Sequence, residues 1–137
     1  MKYFLRKENR LSLQHQVDFL FSHGHGYFIY PIRAKVLVCD KNAENDAWFK
    51  LMVVVPKRYV KKSTSRNLIK RRIRESFRVA IHYLKDILPS NKIIVVAISF
   101  VSSNLKPYDI INESIEKLMR EIERDFKMLN SVKRSTC

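Results

Sequence analysis

Apolar and polar positions change period along the chain, and each period predicts an element. Ile32, Ala34, Val36 and Val38 alternate with Arg33 and Lys35, a period of two that predicts a strand with one face buried. Residues 48–55 (WFKLMVVV) predict a second strand, and the turn-rich DKNAEND at 40–46 suggests that the two pair as an antiparallel hairpin. Residues 92–101 (KIIVVAISFV) are apolar without alternation, which predicts a strand covered on both faces. Helical spacing takes over elsewhere. In 12–22 it groups Leu13, Val17, Leu20 and Phe21, with Ser12 as N-cap and Gly24 as stop. In 109–129 it groups Ile111, Ile115, Leu118, Ile122, Phe126 and Leu129, with Glu113–Lys117 and Glu116–Arg120 as i,i+4 pairs on the outer side. A third helix runs from 63 or 65 to 88, where Pro89 stops it.

The resulting order is α-β-β-(β)-α-β-α, with the bracketed strand left optional by the pattern. It predicts an α/β (α+β) two-layer sandwich. With 137 residues, 46% hydrophobic content, two glycines and four prolines, the chain reads as a single domain over 1–130, and 131–137 (SVKRSTC) as a flexible tail. Cys39 and Cys137 show no metal-ligand spacing and read as free thiols in a reducing compartment. The first residues, MKYFLRKENR, lack the apolar core of a signal peptide, and no apolar run is long enough to span a bilayer. A cytoplasmic protein is expected.

Charge then narrows the partner. The net charge is +14, and residues 57–78 hold ten Lys or Arg against one acid, Glu75. Such a local excess costs self-repulsion and calls for a polyanion, nucleic acid first and an anionic membrane surface as the rival. On a helical wheel Ile69, Ile73, Phe77, Ala80 and Leu84 share about 80° of arc, while Asn67, Lys70, Arg71, Arg74 and Arg78 fill the adjoining 100° or so, beginning beside Arg66. One flank is a core stripe and the next is a cationic ridge, with Lys57, Arg58, Lys61 and Lys62 just ahead of it. An ordinary solvated face mixes signs, which this one does not. A membrane helix needs its apolar side free, and the neighbouring strands offer that side a core. Neither a membrane nor a DNA partner is expected. Arg forks at helical spacing suit phosphate backbones.

The same residues carry a resemblance. RNLIKRRIRESFR at 66–78, preceded by VPKR, resembles the signature of the bacterial ribonuclease P protein component, with Arg66, Asn67, Lys70, Arg71, Arg74, Glu75, Phe77 and Arg78 in the signature places. RKENRL at 6–11 and LFSHG at 20–24 are similar to that family's N-terminal segments, so the likeness spans most of the chain. It implies a sandwich in which the basic helix makes a left-handed β-α-β crossover. It also implies a protein that binds a catalytic RNA through the ridge and assists removal of the 5′ leader from precursor tRNA. A cleft between the first helix and the sheet would hold the single-stranded leader, with Val17, Phe21, Tyr30, Arg33 and Lys35 as candidate contacts and Phe19, Tyr27 and Phe28 nearby. Two places depart from the family pattern: Val17 stands where a Phe is frequent, and Ser63-Thr64 where Ala-Val is usual.

The residues support that division independently. The sequence holds no paired carboxylates at useful spacing, no HxxxH and no Cys/His cluster; His23 and His25 flank Gly24 as loop residues, and His15 and His82 are isolated. No catalytic residue, metal ligand or protein-bound cofactor is therefore assigned, and Mg²⁺ is expected only for the RNA-catalysed reaction. Two other readings compete. A ribosomal-RNA-binding or ribosome-assembly protein would share the ridge but show no preference for precursor over mature tRNA. A stand-alone ribonuclease would cleave without an RNA subunit.

Overall fold

The computed structural model describes residues 14–40 and 47–128. Ser12, Leu13, the segment 6–11, most of the 40–46 turn, Leu129 and the 131–137 tail therefore lie outside the described residues. The elements run α1 (Gln14–His23), β1 (His25–Ile29), β2 (Ile32–Asp40), β3 (Phe49–Val54), α2 (Ser63–Ala80), β4 (Lys92–Phe100) and α3 (Tyr108–Met128). The optional strand is real. It is β1, joined to β2 through Tyr30 and Pro31, whose peptide bond is cis.

One four-stranded sheet has the order β1-β2-β4-β3. The expected hairpin of β2 with β3 does not form: β4 lies between them, antiparallel to β2 and parallel to β3. Chain neighbours usually pair, but β4 is the strand with apolar side chains on both faces, and only a central position covers both. Its Ile94, Val96, Ile98 and Phe100 enter the main core with Ile69, Ile73 and Phe77 of α2 and Ile111, Ile115 and Leu118 of α3. Its Ile93, Val95 and Ala97 enter a second cluster with Leu37, Cys39 and, from α1, Leu20. Helices α2 and α3 thus form one layer against the sheet, and α1 covers part of the opposite face. Each fully buried Ile, Leu or Phe contributes about 1.5–3 kcal/mol, so the main cluster dominates the stability.

α2 ends earlier than expected. It stops at Ala80 and tightens into a 3-10 turn, Ile81–Leu84, rather than continuing to Leu88. The tighter turn buries both Ile81 and Leu84, which the wider spacing of an α-helix does less well. Cys39 is buried and disulfide-bonded, which corrects the reading of a free thiol. Sequence spacing tests for metal ligands and is silent on which thiols meet in space.

Candidate nucleic-acid interface

Three fully buried side chains, Ile69, Ile73 and Phe77, fix the rotation of α2 about its axis. On the flank toward α3, Ser76 is also buried and donates to Asn112 Oδ1 at 2.7 Å, while Arg72 Nη1 donates to the Lys106 carbonyl at 2.5 Å. These contacts hold the other flank outward. There Asn67, Arg71 and Arg74 are exposed and Lys70 is half-buried. Among the described residues no carboxylate pairs with Lys70, Arg71 or Arg74.

The other cations of the ridge have internal work. Arg66 Nη1 donates to the Lys61 carbonyl at 2.7 Å and the Val60 carbonyl at 3.3 Å, tying the preceding loop to the first turn of the helix. Arg78 Nε donates to Glu75 Oε2 at 2.9 Å, and a second bond joins the same pair. The Arg78 bond holds the Glu75 carboxyl below the ordinary carboxylate range. The sequence alone could not separate these positions from their free neighbours, since the distinction depends on what lies within reach.

At the start of α2 the N-cap is Lys62, with no side-chain cap and no acid in the first turn. Lys57, Arg58, Lys61 and Lys62 are all exposed there. Arg58, Lys61 and Lys62 join Tyr59, Ser65 and Ser103 around an open recess of about 390 Å³. The positive end of the helix dipole therefore adds to the side-chain charge, which favours an anionic partner.

The α1 side of the sheet holds most of the second candidate set. Alternate residues along a strand share a face. Arg33, Lys35, Leu37 and Cys39 therefore point the same way, and the last two are covered by Leu20 of α1. Arg33 is exposed and Lys35 half-buried. On α1, Val17 packs against the small cluster and Phe21 is exposed. Tyr30 does not join them. Its hydroxyl donates to Ser102 Oγ at 2.9 Å, its carbonyl accepts from Ser114 Oγ at 3.1 Å, and Lys106 Nζ lies 5.3 Å from the ring centroid. Those partners belong to the β4–α3 connection and α3. The aromatic on the α1 side of this corner is instead Phe28, opposite Arg33.

The histidines are engaged locally: His23 stacks on Phe19 with centroids 4.3 Å apart, and His25 Nε2 lies 3.7 Å from Asp125. Among the described residues no group of three or more His, Cys, Asp or Glu side chains is placed to hold a metal ion. Nor is any helix there long and apolar enough to cross a membrane.

A four-stranded sheet with a parallel β3–α2–β4 unit and a one-sided cationic helix defines a small α+β protein of a recognisable kind. The chain belongs to the ribonuclease P protein family, whose model, described as Ribonuclease P, matches residues 5–123. It is similar to a Porphyromonas gingivalis protein named ribonuclease P protein component, 29% identical over 120 residues and covering 86% of this chain and 85% of that one. Solved ribonuclease P proteins share the fold. The one from Staphylococcus aureus superposes with a TM-score of 0.64 at 20% identity, covering 84% of this chain and 95% of its own. The one from Thermotoga maritima gives 0.57 at 23% identity, covering 82% and 96%.

Proposed function

We propose that this protein is the protein subunit of ribonuclease P, binding the catalytic RNA and the 5′ leader of precursor tRNA so that the leader is removed at the mature 5′ end. The observation that carries the reading is the flank of α2, where Asn67, Lys70, Arg71 and Arg74 stand on a helix locked by buried Ile69, Ile73 and Phe77, free of carboxylate partners among the described residues. Fixed, unpaired guanidinium groups at helical spacing can take phosphate oxygens two at a time without first breaking an internal ion pair. Lys57, Arg58, Lys61 and Lys62 extend that surface around the helix start.

The leader is assigned to the α1 side, through Val17, Phe21, Arg33 and Lys35. Hydrolysis is assigned to the RNA and its Mg²⁺ ions, and the protein's part is to hold the two RNAs in register. A cytoplasmic location follows from the partner, since tRNA matures there. The test is leader removal from precursor tRNA at low Mg²⁺, with the catalytic RNA and the protein together and each alone. Stimulation only in the mixture upholds the reading. Cleavage by the protein alone would replace it with a nuclease, and no stimulation would replace it with a structured-RNA binder such as a ribosome-assembly protein.

A further inference from the structure

We propose that Arg72 is a positioning residue for RNA binding, holding the β4–α3 connection, 101–107, in place as one wall of the recess at the start of α2. The inference rests on the reading that α2 and its start receive the catalytic RNA.

Arg72 is the cation of α2 that lies off the ridge. On the helical wheel it stands roughly 140° from the middle of the ridge, on the flank toward α3. It is half-buried there, and its Nη1 donates to the Lys106 carbonyl at 2.5 Å. A guanidinium in that place is turned away from any phosphate that Arg71 and Arg74 meet. Its partner is instead the backbone of the segment that leads into α3.

That segment is neither helix nor strand from Val101 to Pro107. Such a connection keeps its shape only through the bonds that tie it down. At its beginning the ties come from the β1–β2 corner. The Val101 N–H donates to the Pro31 carbonyl at 2.8 Å, and the Tyr30 hydroxyl donates to Ser102 Oγ at 2.9 Å. Ser102 is buried; its hydroxyl also accepts from the Asn104 N–H at 3.2 Å and donates to the Asn104 carbonyl at 3.1 Å. That is the full capacity of a hydroxyl, one donor and two acceptors. At the far end Arg72 holds the Lys106 carbonyl, and the Lys106 ammonium lies 5.3 Å from the Tyr30 ring centroid. Between these two clamps stand the exposed Ser103 and Leu105, which line the recess together with Arg58, Lys61 and Lys62. A wall fixed in advance spares RNA binding the cost of ordering it.

The experiment measures affinity of the full chain for the catalytic RNA across a salt series, at a temperature where circular dichroism shows each variant folded. For Arg72→Ala, affinity should fall about two- to thirtyfold, the range for residues that act without touching the ligand. The slope of log affinity against log salt should keep its wild-type value, whereas Arg74→Ala flattens it by about 0.7–0.9. In amide NMR spectra of Arg72→Ala, the Ser103 and Leu105 signals should move while those of Ile94 and Ile98 stay. Tyr30→Phe removes the bond to Ser102 without a change of charge and should also lower affinity. The two losses should not add, since both release one segment. Tyr30→Phe carries the test alone if Arg72→Ala folds poorly, and wild-type affinity in it would then overturn the inference. A flattened salt slope for Arg72→Ala would make Arg72 a phosphate contact and overturn the positioning role. Strictly additive losses, or wild-type affinity in a folded Arg72→Ala, would overturn it as well. A wild-type protein without affinity for the catalytic RNA would overturn both the inference and the reading beneath it.

Discussion

Single positions in this protein differ most in whether a neighbour already holds them. Gly24 ends α1 with its N–H bonded to the Leu20 carbonyl at 2.7 Å, and an added Cβ would stand only 2.4 Å from that same oxygen. Leu20 is fully buried and cannot give way, so Gly24→Ala should lower stability by about 1–3 kcal/mol. A thermal unfolding midpoint equal to wild type would show that the turn is looser than its geometry. His82 offers a second test. Burial first, and then the Lys85 ammonium, hold its imidazole below the ordinary histidine value, while its ring sits 5.7 Å from Trp48. The unfolded chain takes up the proton near pH 6.5 and the folded chain only at lower pH, so stability is lost as pH falls through that value. His82→Gln should therefore flatten the midpoint between about pH 7.5 and 5.5. An unchanged slope would assign the pH dependence to other groups.

At the scale of the element, α2 separates folding from binding by rotation alone. Ile73 is fully buried, and a carboxylate there would be unpaired in the core. That costs several kcal/mol, comparable with the ~5–15 kcal/mol that holds such a domain together. Ile73→Asp should abolish cooperative unfolding, as read by circular dichroism; a folded variant would mean that the helix phase is wrong. Arg71 and Arg74 lie on the exposed flank. Their alanine variants should keep the wild-type midpoint and lose about tenfold or more in affinity for the catalytic RNA, at ~1.5–3 kcal/mol per charge-assisted hydrogen bond. Full affinity at moderate salt would remove the ridge from the interface. Arg66 and Arg78 should behave differently from both, because Arg66 ties the loop carbonyls and Arg78 is paired with Glu75.

For the whole molecule, a net charge of +14 sets the scale of RNA binding. About six phosphate contacts give a slope of log affinity against log salt of roughly −4 to −5. Arg74→Ala should flatten it by about 0.7–0.9. A slope that does not change would place Arg74 away from phosphate. The mixed charges of α3, with Lys117 3.5 Å from Glu113 and Arg120 3.6 Å from Glu116, make its outer side an unfavourable surface for RNA.

Much of this was legible in order along the chain. Periodicity located α1, β2, β3, β4 and α3, and the wheel of α2 placed Ile69, Ile73 and Phe77 inside with Arg71 and Arg74 outside. Those features follow from local spacing and hydrophobicity, which each segment carries by itself. Strand order did not follow, because β4 displaces β3 from β2 through contacts more than forty residues apart in the chain. Nor did the pairing state of the cations, or the contrast between Tyr30, drawn to Ser102, and Phe28, left open beside Arg33. Partnership between side chains depends on distances that only the packed chain sets. The sequence by itself determined which faces are apolar and where the charge is concentrated; the tertiary structure decided which cations remain free to meet a phosphate.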